Sequence, residues 1–294
     1  DSAQVITATL VGTAHPVLEG RKFRTVVIDE AAQALEPATW IPITRASKVV
    51  LAGDPFQLPP TVKSVEAQRQ GLSVTLIERC IEQGAYANLL NLQYRMHEVI
   101  MGFSNLQFYN GALQAAPEVR YHALPILANT PVIFIDTAGC GFEERLQPVF
   151  QSRYNPEEFQ ILCEHLYLQV EAFADQPIPS IAIISPYREQ VIYMQEQIAE
   201  DSLLSALPVT VNTIDGFQGQ ERDIVYISLV RSNAKCEIGF LNDYRRMNVA
   251  MTRARKQLVV IGDSATIGTH RFYEQFLTYC EKNGAYQTAW EYMQ

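Results

Sequence analysis

Eight short β-branched runs punctuate the chain, at residues 5–9, 25–29, 49–52, 132–135, 181–184, 209–211, 224–229 and 258–261, with helical patterns between them. Uninterrupted apolar strands of this kind belong to parallel sheets, because the crossover helices joining parallel strands cover both faces. The clearest helix signal opens at Asn155-Pro156-Glu157-Glu158. There an N-cap, a first-turn proline and two carboxylates facing the dipole precede apolar positions that run to Phe173. Further helices are predicted over 186–199, 243–254 and 272–282, the last closing the chain. The alternation implies a doubly wound α/β architecture with parallel sheets flanked by helices, whose ligands sit at the carboxyl ends of the strands.

A boundary is expected near residues 87–92, dividing a partial first domain, 1–89, from a complete second one, 90–294. The stretch 103–128, with Gly111, Pro117 and Pro125, has little periodicity and reads as connecting helices and loops; 139–154 reads as irregular surface chain. The 294 residues, 48% of them hydrophobic, suffice for real cores. A net charge of −9 argues against a broadly basic nucleic-acid coat but leaves room for a local basic channel. The five cysteines are scattered without C-x-x-C or neighbouring histidines, so neither a zinc site nor a disulfide framework is suggested, and a reducing cytoplasm fits, or the nucleus in a eukaryote. No apolar run approaches the roughly 20 residues of a membrane span, and the first residues show no basic-then-apolar export pattern.

Val26-Val27-Ile28-Asp29-Glu30 ends an apolar run in two carboxylates. Such a pair is placed for Asp29 to hold magnesium and for Glu30 to act as the base that activates water; an isolated Asp-Glu also fits the start of a turn. A phosphate loop of the form G-x-x-x-x-G-K, then Ser or Thr, is the usual companion of this chemistry, yet no glycine in the sequence is followed by lysine. The chain is therefore expected to begin inside a longer protein, after its first phosphate loop. After the next strand, Gly53-Asp54-Pro55-Phe56-Gln57 brings Asp54 and Gln57 to the same sheet edge. There they would read nucleotide state, unless the loop is an ordinary turn with a stiff proline exit.

Tyr94 and Arg95, in Gln93-Tyr94-Arg95-Met96-His97, set an aromatic face beside a guanidinium, suited to stacking on a base and gripping phosphate in a fork, or else to a core ring and a surface ion pair. In Asp215-Gly216-Phe217-Gln218-Gly219-Gln220-Glu221, Gly216 and Gly219 allow close backbone approach to a ligand and Glu221 can accept a ribose hydroxyl. On the helix predicted from Asp243, Arg245, Arg246, Arg253 and Arg255 are interleaved with Met247, Val249, Ala250 and Met251, giving one buried face and a cationic edge. A solvated basic face is the plainer account, but the arginines run directly into the strand at 258–261, which puts Arg253 at a domain edge.

In chain order, VITATLVGTA, VVIDEAAQ, LAGDPFQLPP, QYRMH, ISPYREQ, VNTIDGFQGQERDIVYISLVRS and GFLNDYRRMNVAMTRARKQLVVIGD resemble the motifs of superfamily 1 helicases of the up-frameshift type, and together they cover nearly the whole chain. The resemblance implies the RecA-like P-loop NTPase fold, with an incomplete first domain and a complete second one. It also implies ATP and Mg2+ as cofactors, hydrolysis in the cleft between two domains, and stepping along single-stranded DNA or RNA in the 5′ to 3′ direction. By that resemblance Asp29 helps bind magnesium, Glu30 polarises the attacking water and Gln57 senses the γ-phosphate. Tyr94 stacks on adenine, Arg95 and Arg253 reach the phosphates, and Glu221, in the loop with Gly219, holds the ribose. Thr9, Pro186, Tyr187 and Thr213 are the implied strand contacts, which position a strand without reading its sequence.

The chain departs from the family pattern in lacking the phosphate loop, the base-recognition segment before it and the inserted subdomain, so by itself it is expected to be inactive. Two other readings stay open. One is a non-catalytic helicase-like module that binds nucleic acid or a protein partner, against which the joint presence of Asp29, Glu30, Gln57, Arg95, Glu221 and Arg253 weighs. The other is a repair-type superfamily 1 helicase of opposite polarity, which the TRAR and QYRMH segments fit less well.

Overall fold

The computed structural model of the chain describes residues 3–126 and 130–293. These form two compact units, Asp1–Leu89 and Leu90–Gln294. In the first, β1 (Phe23–Ile28) and β2 (Ala46–Leu51) pair in parallel, with Ile28 opposite Leu51. Three helices accompany them: α1 (Glu36–Ile43), α2 (Val65–Arg69) and α3 (Leu76–Glu82). A reciprocal cap starts α3, with the Glu78 N–H donating to the Thr75 hydroxyl and the Thr75 N–H donating to the Glu78 carboxylate. A small core of Ile28, Ala31, Ala32 and Ile77 gathers Leu10, Val26, Ile43 and Leu51 around it.

This unit corrects two expectations. Residues 5–9 are not a strand; an extended run becomes one only when its backbone groups find a ladder, and no partner strand lies beside it among the described residues. Nor is the 25–29 run buried on both faces, since Val27 is 64% exposed and Val49 and Val50 also face outward. Val27 and Val50 are paired on one face and Val49, the chain neighbour of Val50, points to the other, so this two-stranded sheet leaves side chains in water on both faces.

The second unit begins with β3 (Leu92–Gln93), α4 (Glu98–Phe108) and β4 (Gln114–Ala115), the two short strands pairing in parallel. Then come β5 (Val132–Asp136), a hairpin of β6 (Arg145–Gln147) and β7 (Ser152–Tyr154), α5 (Pro156–Phe173), β8 (Ile181–Ser185), α6 (Arg188–Glu200), β9 (Val209–Thr213) and β10 (Arg222–Ser228). Helix α7 (Tyr244–Met251), β11 (Ala254–Gly262), α8 (Ser264–Ile267), α9 (Arg271–Lys282) and β12 (Tyr286–Thr288) follow. Six strands form one parallel sheet in the order β12-β5-β11-β10-β8-β9.

Burial follows the period of two. Ile133, Ile135, Ile181, Ile183, Ile224, Tyr226, Val259 and Ile261 share a core with Phe159, Leu162 and Leu166 of α5 and Val191 and Met194 of α6. On the alternate positions, Phe134 packs edge-on against Phe276 of α9. Each such aliphatic or aromatic side chain contributes about 1.5–3 kcal/mol on burial, so the central strands hold this unit together.

The predicted strands from 132 onward form where expected, and the stretch 103–128, read as connecting helices and loops, contains most of α4, whose Ile100, Met101, Phe103 and Ser104 are buried; residues 127 and 128 of that stretch lie outside the described residues. Three local expectations change. The 139–154 segment contains the β6–β7 hairpin, and Glu144 beside it is buried between Arg153 and Arg231. Helix α7 ends at Met251 because sheet pairing reaches back to Arg222 opposite Ala254, so only Arg245 and Arg246 of the four arginines are helical. Finally, α9 is followed by β12, which pairs with β5.

Candidate functional site

In the first unit, Asp29 and Glu30 follow the last residue of β1, and Asp54 and Gln57 lie in the loop after β2, so the parallel pairing brings both motifs to one edge. The Glu30 N–H donates to Asp29 Oδ1 at 3.0 Å, and Gln33 Nε2 donates to Glu30 Oε2 at 2.6 Å. Glu30 has φ +52°, a left-handed conformation that costs a non-glycine residue free energy. Across the edge, Asp54 Oδ1 accepts from the Phe56 N–H at 3.0 Å and Oδ2 from Gln57 Nε2 at 2.9 Å. A Cβ at Gly53 would lie 2.8 Å from the Ala32 nitrogen and 2.9 Å from that of Ala31. Only glycine lets the two loops approach this closely. No three carboxylate, histidine or cysteine side chains gather as a metal cage among the described residues. Magnesium fits such an edge in another way, through one carboxylate such as Asp29, with water and phosphate oxygens completing the octahedron. Thr9 also lies in this unit, exposed, its hydroxyl accepting from the Gly12 N–H at 3.1 Å.

The second unit collects the other nucleotide candidates. Gln93 Oε1 accepts from the N–H groups of both Arg95 and Met96 at 2.8 Å, and the His97 N–H donates to the Arg255 carbonyl at 2.8 Å. The loop so fastened to β11 presents Tyr94 outward, 66% exposed. Gln93, Tyr94, Arg95, Met96 and Glu221 line a cavity of about 300 Å³. Arg95 Nε donates to Glu221 Oε2 at 2.7 Å, and Nη1 donates to the Thr252 carbonyl at 3.3 Å. Arg253, 3% exposed, donates from Nε to the Val249 carbonyl at 3.0 Å and from Nη1 to the Gln220 carbonyl at 3.5 Å. Gly219, at φ +74°, makes the turn that delivers Gln220 and Glu221.

Arg255 joins this cluster although the motif reading gave it no role. It stands on β11 with its Nε 3.8 Å from Glu221 Oε1, and that nitrogen is buried without a hydrogen-bond partner. The missed signal was the strand period: once β11 starts at Ala254, residue 255 points away from its neighbours on the chain. Arg95 and Arg255 thus flank the carboxylate of Glu221, while Arg253 is held at the adjoining Gln220 carbonyl. The local excess of guanidinium and an unsatisfied donor fit a polyanion, and the exposed Tyr94 ring fits a flat heterocycle beside it.

Pro186, Tyr187 and Thr213 meet at the opposite, carboxyl edge of the sheet, because Ser185 at the end of β8 lies opposite Thr213 at the end of β9, whereas Glu221, Arg253 and Arg255 lie at the amino-terminal starts of β10 and β11 and so depart from the expected carboxyl-edge placement. Thr213 Oγ1 accepts from the Gly216 N–H at 3.3 Å. Tyr187 is buried, and its hydroxyl donates to the Ile238 carbonyl at 3.3 Å and accepts from Arg231 Nη1 at 3.4 Å. Burial pushes its phenol up in pKa, while the Arg231 guanidinium pulls the other way.

Arg231 is placed by an unusual turn. The Arg231 N–H donates to the Leu229 carbonyl at 2.8 Å across Val230, which has φ +71°. This is the rare positive-φ γ-turn, strained for any residue and more so for a β-branched one. The first turn of α5 holds both sides of it. The Val230 N–H donates to Glu158 Oε1 and Oε2 at 3.1 and 2.9 Å, and Asn155 Nδ2 donates to the Val230 carbonyl at 3.3 Å. Ser228 Oγ donates to Glu158 Oε1 at 2.7 Å, and Asn155 Oδ1 caps the helix at the Glu158 N–H. Full burial pushes the Glu158 carboxyl up to about 8 against the pull of these donors. Sequence reading saw Asn155 and Glu158 only as a helix start.

Profiles described as AAA domain match residues 1–65 and 72–265. The chain is 41% identical over 307 residues to the DNA-binding protein SMUBP-2 of Mesocricetus auratus, covering 99% of this chain and 30% of that protein. It is 38% identical to the DNA polymerase alpha-associated DNA helicase A of Saccharomyces cerevisiae, covering 89% of this chain and 41% of the relative. Helicase SEN1 of the same yeast is 37% identical over 94% of this chain and 13% of its own length. The chain thus spans well under half of each of these curated relatives. With its parallel α/β sheets, its ordered motifs and these matches, the chain belongs to the superfamily 1 helicases of the up-frameshift type.

Proposed function

We propose that the chain is part of an ATP-dependent helicase that steps along single-stranded DNA or RNA, in the 5′ to 3′ direction. The observation that carries this reading is the pair of guanidiniums, Arg95 and Arg255, on Glu221, with Arg253 at the adjoining Gln220 carbonyl, beside the exposed Tyr94 ring. ATP with Mg2+ supplies the phosphoanhydride whose cleavage drives the steps. Tyr94 stacks on the adenine, Glu221 turns from Arg95 to accept a ribose hydroxyl, and Gly219 admits the ligand close to the backbone. Arg95 and Arg253 stabilise the negative charge that develops on the transferred phosphoryl group. Asp29 orients the metal, Glu30 takes a proton from the attacking water, and Gln57 registers the γ-phosphate. Thr9, Pro186 and Thr213 contact phosphates and sugars of the strand, whereas Tyr187, also expected to do so, is buried and only backs that edge. The five free thiols suit a reducing compartment, the cytoplasm or a nucleus.

Because the sequence has no glycine-lysine step, turnover is expected to need a lysine phosphate loop supplied by a longer chain. The test is ATP hydrolysis with and without single-stranded nucleic acid, by this chain and by a longer one carrying such a loop, each beside Glu30→Gln. Strand-stimulated turnover in the longer chain, abolished by Glu30→Gln with nucleotide binding intact, is expected. An active Glu30→Gln enzyme refutes the base. Glu30-dependent turnover by the 294-residue chain alone refutes the need for the lysine. Strand binding with no turnover in either chain identifies a non-catalytic module.

A further inference from the structure

Phe240 is 66% exposed, in a helical turn at Gly239–Asn242. Single exposed apolar side chains are common and ordinarily mean nothing; what distinguishes this one is how firmly it is held. Its ring packs on Tyr187, with centroids 5.7 Å apart and an interplanar angle of 51°. Tyr187 is pinned from below by Arg231, whose own side chain is buried and whose Nε donates to Glu144 Oε2 at 2.6 Å. Gly239 has φ +53°, and a Cβ there would collide with the Arg231 guanidinium and stand 3.0 Å from the Tyr187 hydroxyl. Beneath Arg231 lies the strained Val230 turn, gripped by Glu158 and Asn155. A buried ion pair, a required glycine and a clamped γ-turn therefore converge under one solvent-facing ring. That ring backs onto the residue after Pro186, at the carboxyl edge that also carries Thr213.

We propose that Phe240 is a base-stacking residue of the nucleic-acid face, offering its ring to a nucleobase of a single strand while Tyr187 supports it from behind. Every base has a π-face, so such a contact is sequence-tolerant, and its preset orientation keeps the entropic cost of stacking low. The proposal rests on the strand-binding reading above.

The test is fluorescence anisotropy of labelled dT20 and rU20 oligonucleotides with the 294-residue chain and its Phe240→Ala, Phe240→Trp and Phe240→Leu variants, over a salt series. Phe240→Ala is expected to weaken binding about tenfold with an unchanged salt slope and unchanged thermal unfolding, because an exposed ring carries no charge and little core. Phe240→Trp should restore affinity, and Phe240→Leu, equally apolar but without a π-face, should not. Loss on dT20 and rU20 alike supports a contact to the base, and loss on either one alone supports it for that nucleic acid. Equal affinity of wild type and Phe240→Ala overturns the assignment and leaves the strand-binding reading standing. Full recovery by leucine also overturns it, in favour of plain apolar contact. A wild-type chain that binds neither oligonucleotide overturns the strand-binding reading, and this assignment with it.

Discussion

Arg253 shows how far a residue's chemistry depends on its neighbours. A cation 3% exposed would be costly alone, but the carbonyls of Val249 and Gln220 receive its donors and hold the guanidinium beside Thr252, whose own carbonyl receives Arg95. If Arg253 acts on transition-state charge, Arg253→Ala in an ATP-hydrolysing longer chain lowers turnover by about 10³ or more, while oligonucleotide affinity changes less than threefold, on the order of 0.6 kcal/mol. Steady-state hydrolysis and anisotropy on the same preparation decide it; parallel losses would move Arg253 to the strand-binding face. Both Arg253 and Arg255 were visible in the sequence in the Thr-Arg-Ala-Arg run, but only Arg253 was given a role, because the relation of Arg255 to Glu221 needs a strand beginning at Ala254.

At the scale of elements, α5 serves two purposes that its sequence advertised as one. Asn155 and Glu158 start the helix, and the same two side chains hold Val230 in its strained turn. Since burial raises the Glu158 carboxyl from 4.5 to about 8, the folded state keeps a proton that the unfolded chain releases. The stability this confers is full below about pH 4.5 and is lost as pH rises to about 8, at up to about 1.4 kcal/mol per pH unit. Glu158→Gln, which keeps an acceptor for the Val230 N–H, should remove that slope in urea unfolding measured from pH 5 to 8.5. His165 works in the opposite direction and, with the lowered carboxyls of Asp201 and Asp223, contributes to loss on the acid side. Buried against the Tyr226 hydroxyl at 2.9 Å, it is pushed down to about 4, so its contribution is present above about 6.5 and lost as pH falls through 4. An unaltered slope in Glu158→Gln between pH 5 and 8.5 would show that Glu158 is ionised in the folded protein.

For the whole molecule, the two units differ in how much core each owns. Strands β5, β8, β10 and β11 are buried on both faces, while β1 and β2 leave Val27, Val49 and Val50 in water. Residues 81–92 between the unit cores are all exposed, with Tyr86 and Leu90 about nine-tenths accessible, as a protease site requires. Limited proteolysis is expected to cut first within residues 84–91 and to leave a resistant fragment starting near residue 90. Mass spectrometry of the products checks this, and first cuts inside β8–β10 would contradict the packing described here.

What the sequence alone determined was whatever is written in local period and local chemistry. The alternating β-branched runs and the Asn-Pro-Glu-Glu helix start dictated the parallel α/β plan, since strand and helix periods depend on neighbours in the chain. The ordered motifs likewise named Asp29, Gln57, Tyr94, Arg95, Glu221 and Arg253 as candidates. Only the tertiary structure decided that residues 5–9 find no ladder, that β1 is half bare, that Arg255 faces Glu221, and that Glu158, Val230, Arg231 and Gly239 form one support beneath Phe240. Each of these depends on pairing, burial or hydrogen bonds between residues distant in sequence, 72 positions apart for Glu158 and Val230, and no local pattern records such contacts.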